Sequence, residues 1–130
     1  MASGKITALA ATFGASGVVL GAFGAHALKT VLTAAGTSAL WEKAVFYHLI
    51  HAVGLLFVSH AVRDDENARW AQFAAASWTA GIVLFSGSLY GLALGGPRGL
   101  GPLTPLGGLA LILGWGAIAL GNLRGKPRGN

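Results

Sequence analysis

The 130-residue chain contains no cysteine, so disulfides are excluded and nothing in it reports a redox compartment. Charge is scarce as well: 10% of residues are charged, against about 25% in a typical soluble domain. Only four are acidic, Glu42, Asp64, Asp65 and Glu66, and each lies between apolar stretches or at the edge of one. Acids so placed cannot complete a Ser-His-Asp arrangement, and no glycine loop sits in a strand-to-helix context that would cradle a phosphate. Catalysis by these routes is therefore not expected, and the chain reads as something other than an enzyme.

What fills the chain instead is a set of apolar stretches, Ile6–Leu28, Ala44–Val62, Trp70–Gly95 and Leu106–Leu123. Each is close to the ~20 residues a helix needs to cross a ~30 Å hydrocarbon core. Twenty-one glycines, several inside these runs, argue the same way. Interior Gly costs a soluble helix about 1 kcal/mol relative to Ala, whereas in lipid it lets helix backbones approach closely. The expected fold is an all-α membrane protein, a single transmembrane domain over residues 1–130 forming a compact bundle of four transmembrane helices. A signal peptide competes for the first stretch, with Lys5 as its charged region and Ala25-His26-Ala27 as a small-residue cleavage site. Its apolar run exceeds the usual ~7–15 residues, which favours a retained span.

A net charge of +5 and a pI near 10.3 invite a nucleic-acid reading. The basic residues form no stripe interleaved with aromatics, so no nucleic-acid partner is expected. They flank the apolar runs, where topology and anionic headgroups explain them, and membrane lipids are the expected neighbours. Lys5, Arg63, Arg69, Arg124, Lys126 and Arg128 fall on one membrane side; Lys29, Lys43 and Arg98 fall on the other. The positive-inside rule then puts both termini in the cytoplasm, with the 29–43 and 96–105 loops outside. The expected location is the bacterial inner (plasma) membrane.

Gly14, Gly17, Gly21 and Gly24 share one face of the first helix, and Gly87, Gly91 and Gly95 make two successive GxxxG steps in the third. Gly107, Gly114 and Gly121 follow at heptad spacing. These seams predict close helix packing within the monomer, and they also suit a homo-oligomer or a larger membrane complex. In the 29–43 loop Gly36 is a break, and Thr37 and Ser38 are candidate N-caps for the second helix. Trp41 and Trp70 fall at the two interfaces as aromatic-belt anchors.

Ionisable side chains within spans are costly and mark functional candidates. With a rise of ~1.5 Å per residue, His51 falls ~15 Å deep, with Tyr47 and His48 about two turns in. Ser86, Ser88 and Tyr90 fall in the outer half of the third helix, and His26 and Thr104 lie at the outer boundary. The candidate polar cluster is thus His26, Tyr47, His48, His51, Ser86, Ser88, Tyr90 and Thr104, opening outward. His48 and His51, three apart, share a helix face and have metal- or haem-ligand spacing, but no Cys or buried carboxylate supplies a third ligand. No metal or cofactor is therefore expected. His60 lies about half a turn around the helix from His51 and reads as a satisfied interface residue.

Several motifs recur in order: Gly21-Ala22-Phe23-Gly24-Ala25-His26, Tyr47 with His51, Leu84-Phe85-Ser86-Gly87-Ser88-Leu89-Tyr90, and Thr104-Pro105 with Gly107-Gly108 and Gly114-Trp115. Together they resemble the small membrane proteins of domain of unknown function 423 (DUF423), similar to eukaryotic transmembrane protein 256. The resemblance covers nearly the whole chain and implies a four-helix integral membrane protein without an assigned activity. In that family a Gln often stands where this chain has His48, so the resemblance lends no support to a shared two-histidine metal site. The leading expectation is a non-enzymatic packing or accessory subunit of a membrane assembly. A small transporter, or a lipid or small-molecule binder using the outer cluster, is the alternative.

Overall fold

The computed structural model describes residues 1–65 and 68–124. Lys126 and Arg128 of the charge count, the basic tail beyond Arg124, and Glu66 and Asn67 of the connecting loop lie outside the described residues. The described residues are predominantly helical, with no strand among them, and four helical segments are long and apolar enough to cross a membrane. These are α1 (Ser3–Ala25), α3 (Ser38–Asp64), a third span from Arg69 to Ala93, and a fourth segment, Arg98–Arg124, dominated by α6 (Leu103–Arg124). The third span combines α4 (Arg69–Gly81), a π-helical turn (Ile82–Ser86) and α5 (Gly87–Ala93).

The first span stops earlier than its apolar run, at Ala25, where His26 takes a non-helical conformation. A short helix, α2 (Lys29–Ala35), follows within the stretch expected to be a loop. It ends at Gly36, whose φ of 68° favours a residue without a Cβ. Thr37 does precede α3, but its hydroxyl does not cap that helix. It donates instead to the Ala93 carbonyl, 2.8 Å away, and so satisfies a carbonyl at the C-terminal end of the third span.

α3 and the third span form the central pair and are the more buried; α1 packs mainly on α3, and α6 mainly on the third span. Lipid tails are as apolar as Leu, so no hydrophobic force separates these helices from their surroundings. Close packing and interhelical hydrogen bonds must hold them together. The sequence supplies both. Gly17, Gly21 and Gly24 face Leu49, Val45 and Trp41 in turn along an antiparallel seam between α1 and α3. The Ser3 hydroxyl donates to the Ser59 carbonyl at 2.8 Å, and the Met1 amine donates to Gln72 Oε1.

Three of the four tryptophans sit directly on glycines of a neighbouring helix. Trp41 covers Gly24, Trp70 covers Gly121, and Trp78 is held between Gly54 and Gly114. A Cβ at any of these glycines would overlap the indole. Trp41, expected as an interface anchor, is buried instead, and its Nε1 donates to the Leu20 carbonyl at 2.9 Å. Gly107 meets the backbone of Phe85 in the π-helical turn, a closer approach than any side chain allows. The extra residue in that turn moves the inward stripe on by one position, so that Ser86 and Ala93 are buried.

Three of the predicted packing glycines need correction. Gly14, Gly87 and Gly95 have open space where a Cβ would stand and form no seam. Gly95 has a backbone role, with φ of 80° at the turn leaving the third span. Gly91 does pack, against Leu100 of the 96–105 connection.

Candidate functional site

The predicted polar residues are not one cluster. They separate into two histidine-centred groups and two hydroxyl staples, and one member lies apart. His48 is buried and spans three helices: Nε2 is 3.3 Å from Ser16 Oγ on α1, and Nδ1 is 3.0 Å from the Tyr90 hydroxyl on α5. Ser16 donates its own hydrogen to the Phe13 carbonyl at 3.2 Å. His48 Nε2–H must then donate to Ser16, which leaves Nδ1 to accept from Tyr90. The result is a directed chain, Tyr90 to His48 to Ser16 to backbone, flanked by the Phe13 ring at 5.7 Å.

His51 points the other way, toward α6. The Trp115 indole donates to its Nε2 at 3.0 Å, and Nδ1–H donates to the Tyr47 carbonyl at 2.7 Å. Its ring lies edge-on to Trp78 and Trp115, with centroids 5.7 and 6.0 Å away. Three residues of spacing leave a helix about 60° short of a full turn, and here that is enough to direct the two imidazoles to different neighbours. His48 and His51 therefore share no site. Among the described residues, no three His, Asp or Glu side chains gather as metal ligands.

The serines act as staples. Ser86 is fully buried and donates to the Ala44 carbonyl at 2.8 Å; Ser88 meets Thr104 at 2.6 Å, tying the third span to α6. Tyr47 is partly exposed, with its ring against Phe85 and stacked on His51. His26 is exposed at the end of α1 and belongs to neither group. Its motif position suggested proximity, but the chain turns there and leaves the ring outside. Sequence reading missed Ser16 and Trp115 as partners. Ser16 lies one residue before Gly17 on the seam facing α3, and that was the available signal.

Two surface clefts lie beside this interior. One, of about 530 Å³, lies between α1, α2 and α3, with Trp41 at its wall and Lys29 and Glu42 among its lining. The other separates α3 from α6 and is floored by the third span. Its apolar part, about 620 Å³, is lined by Val53, Gly54, Phe57, Trp78, Trp115 and Ile118. It adjoins a polar depression of about 550 Å³ that shares Phe57 and carries His60, Asp64 and Asn122.

Four apolar helical spans, tied internally by buried histidine and serine hydrogen bonds, define a small polytopic helical membrane protein. The chain belongs to the family described as protein of unknown function (DUF423), which it matches over residues 20–108. It is 37% identical over 123 residues to a UPF0382 membrane protein of Haemophilus influenzae, covering 94% of this chain and 96% of that one. It is 44% identical over 100 residues to the UPF0382 membrane protein YwdK of Bacillus subtilis, covering 75% and 79% of the two chains. With the UPF0382 inner membrane protein YgdD of Escherichia coli it shares 34% identity over 112 residues, covering 86% and 84%. No solved structure matches it. The protein is an integral membrane protein of the bacterial inner-membrane kind.

Proposed function

We propose that this protein catalyses no reaction and acts as an accessory subunit of a membrane assembly, with its polar interior serving as an internal lock. One observation carries the reading: among the described residues, every buried side-chain nitrogen and oxygen already has a hydrogen-bond partner. A catalytic or transport site keeps groups available for substrate, whereas His48, His51, Ser86 and Ser88 are committed to neighbouring helices and backbone. The lipid-facing flanks are what such a molecule offers to partners. Purification in mild detergent followed by native mass spectrometry is expected to show a second protein, or further copies of this chain, held to it. A bare monomer under all mild conditions would count against the reading.

The proposal includes an orientation with both termini in the cytoplasm, supported by the excess of Lys and Arg on that face. The absence of native cysteine makes this directly measurable. Ser38→Cys is expected to react with a membrane-impermeant maleimide in intact cells, and Arg63→Cys only after the membrane is opened. The reverse pattern would invert the topology.

A further inference from the structure

The cleft between α3 and α6 changes character along its length. Its middle is apolar, walled by Val53 and Phe57 and floored by Trp78. Past Phe57, at the face that carries Met1 and Arg124, it becomes polar, with His60, Asp64 and Asn122. The bonding state of these three is informative. His60 uses Nδ1–H on the Leu56 carbonyl at 2.9 Å, so its Nε2 is left as an acceptor. Asn122 uses its amide nitrogen on the Ile118 carbonyl at 2.8 Å, leaving its side-chain oxygen as an acceptor. Asp64 contributes a carboxylate. Asp65 also lines the depression, which thus presents the His60 and Asn122 acceptors beside the carboxylates of Asp64 and Asp65, on a membrane face otherwise marked by Lys5, Arg63, Arg69 and Arg124.

We propose that this cleft binds one phospholipid whose headgroup carries a primary ammonium, with the ammonium among Asp64, His60 and Asn122 and one acyl chain lying over Phe57 toward Gly54. Charge and hydrogen-bond complementarity select the headgroup. A primary ammonium has three N–H donors and one positive charge, which suit the neutral acceptors of His60 and Asn122 and the adjoining carboxylates. A phosphate alone or a hydroxylated anionic headgroup carries no ammonium of its own to meet these carboxylates. Geometry selects a chain-bearing ligand over a free amine. Asp64 lies ten residues from Gly54, or ~15 Å along the helix, which equals about half of a ~30 Å hydrocarbon core. A chain anchored at that face therefore ends over the apolar floor. The site goes beyond the accessory role and does not depend on it.

The test uses the full-length protein, delipidated in detergent and offered equal amounts of phosphatidylethanolamine and phosphatidylglycerol with identical acyl chains, read by native mass spectrometry. One phosphatidylethanolamine adduct is expected to predominate, and glycerophosphoethanolamine, which has the headgroup without chains, is expected not to displace it. Asp64→Asn should reduce the preference by about fivefold, in keeping with the loss of a charge-assisted hydrogen bond. Val53→Trp, at an exposed groove-lining position, should weaken retention of both lipids by filling the cleft. A thermal unfolding curve matching the parent's shows that each variant is folded. Equal retention of the two lipids, displacement by the chainless headgroup, or unchanged preference in folded Asp64→Asn would each overturn the proposal. A missing protein partner would affect only the accessory reading.

Discussion

Gly107→Ala is expected to destabilise the protein by about 3 kcal/mol, a large loss for a single added methyl group. At this position the new Cβ meets the nitrogen and Cα of Phe85 and the carbonyl carbon of Leu84, all backbone atoms of the π-helical turn. A flexible side chain could turn aside, but a helix backbone cannot. α6 must therefore move away from the third span, stretching the Ser88–Thr104 bond and the Trp78–Leu111 bond, which cross the same interface. Gly14→Ala is the matched comparison. Its Cβ would enter open space, so the substitution should be neutral or stabilising by up to about 1 kcal/mol. Unfolding by SDS titration from mild detergent micelles would measure both. Similar losses for the two variants would show that Gly107 contributes helix flexibility rather than close approach.

Trp78→Ala carries the other large effect, about 4 kcal/mol, because it empties the centre of the protein. The ring is almost fully buried, lies against Gly54 on α3 and Gly114 on α6, and donates Nε1–H to the Leu111 carbonyl at 3.1 Å. It also forms one wall beside His51 and part of the floor of the α3–α6 cleft. Trp78→Phe keeps much of the volume and loses the hydrogen bond, so a loss of about 1–2 kcal/mol is expected. A second substitution separates packing from bonding. Gly54→Ala should be costly in the parent, where its Cβ would meet the indole, and nearly free in the Trp78→Ala background. If the two effects simply add, the glycine–tryptophan fit is not what holds α3 to the third span.

The spans were the most legible part of the fold, and their ends the least. Helix α2 was missed because residues 29–35 are too few for a clear periodic pattern, and its one deeply buried side chain, Leu32, is fixed by packing against other elements. The glycine seams were half legible. Gly17, Gly21 and Gly24 pack as their spacing predicts, yet Gly14 on the same stripe faces open space. Gly54, which has no GxxxG partner and gave no signal, carries the Trp78 ring. A spacing rule says which glycines share a face; it does not say how far the neighbouring helix runs along that face.

The candidate site divides in the same way. Depth along each helix followed from residue number, and it placed Tyr90 and His48 at levels where they could meet. Partner choice did not follow. His48 turns to Ser16 and Tyr90 while His51 turns to Trp115, so a spacing that suggested paired ligands became two separate interhelical bonds.

The sequence by itself determined the membrane location and the number of spans. Those properties depend on apolar length and on a helix satisfying its own backbone hydrogen bonds, and both are local. Only the tertiary structure decided which glycines receive a tryptophan, which hydroxyl each histidine finds, and where a cleft stays open between α3 and α6. These depend on how each helix is rotated about its axis and how closely two axes approach. Both are set by the packing of several helices at once, which no single stretch of sequence contains.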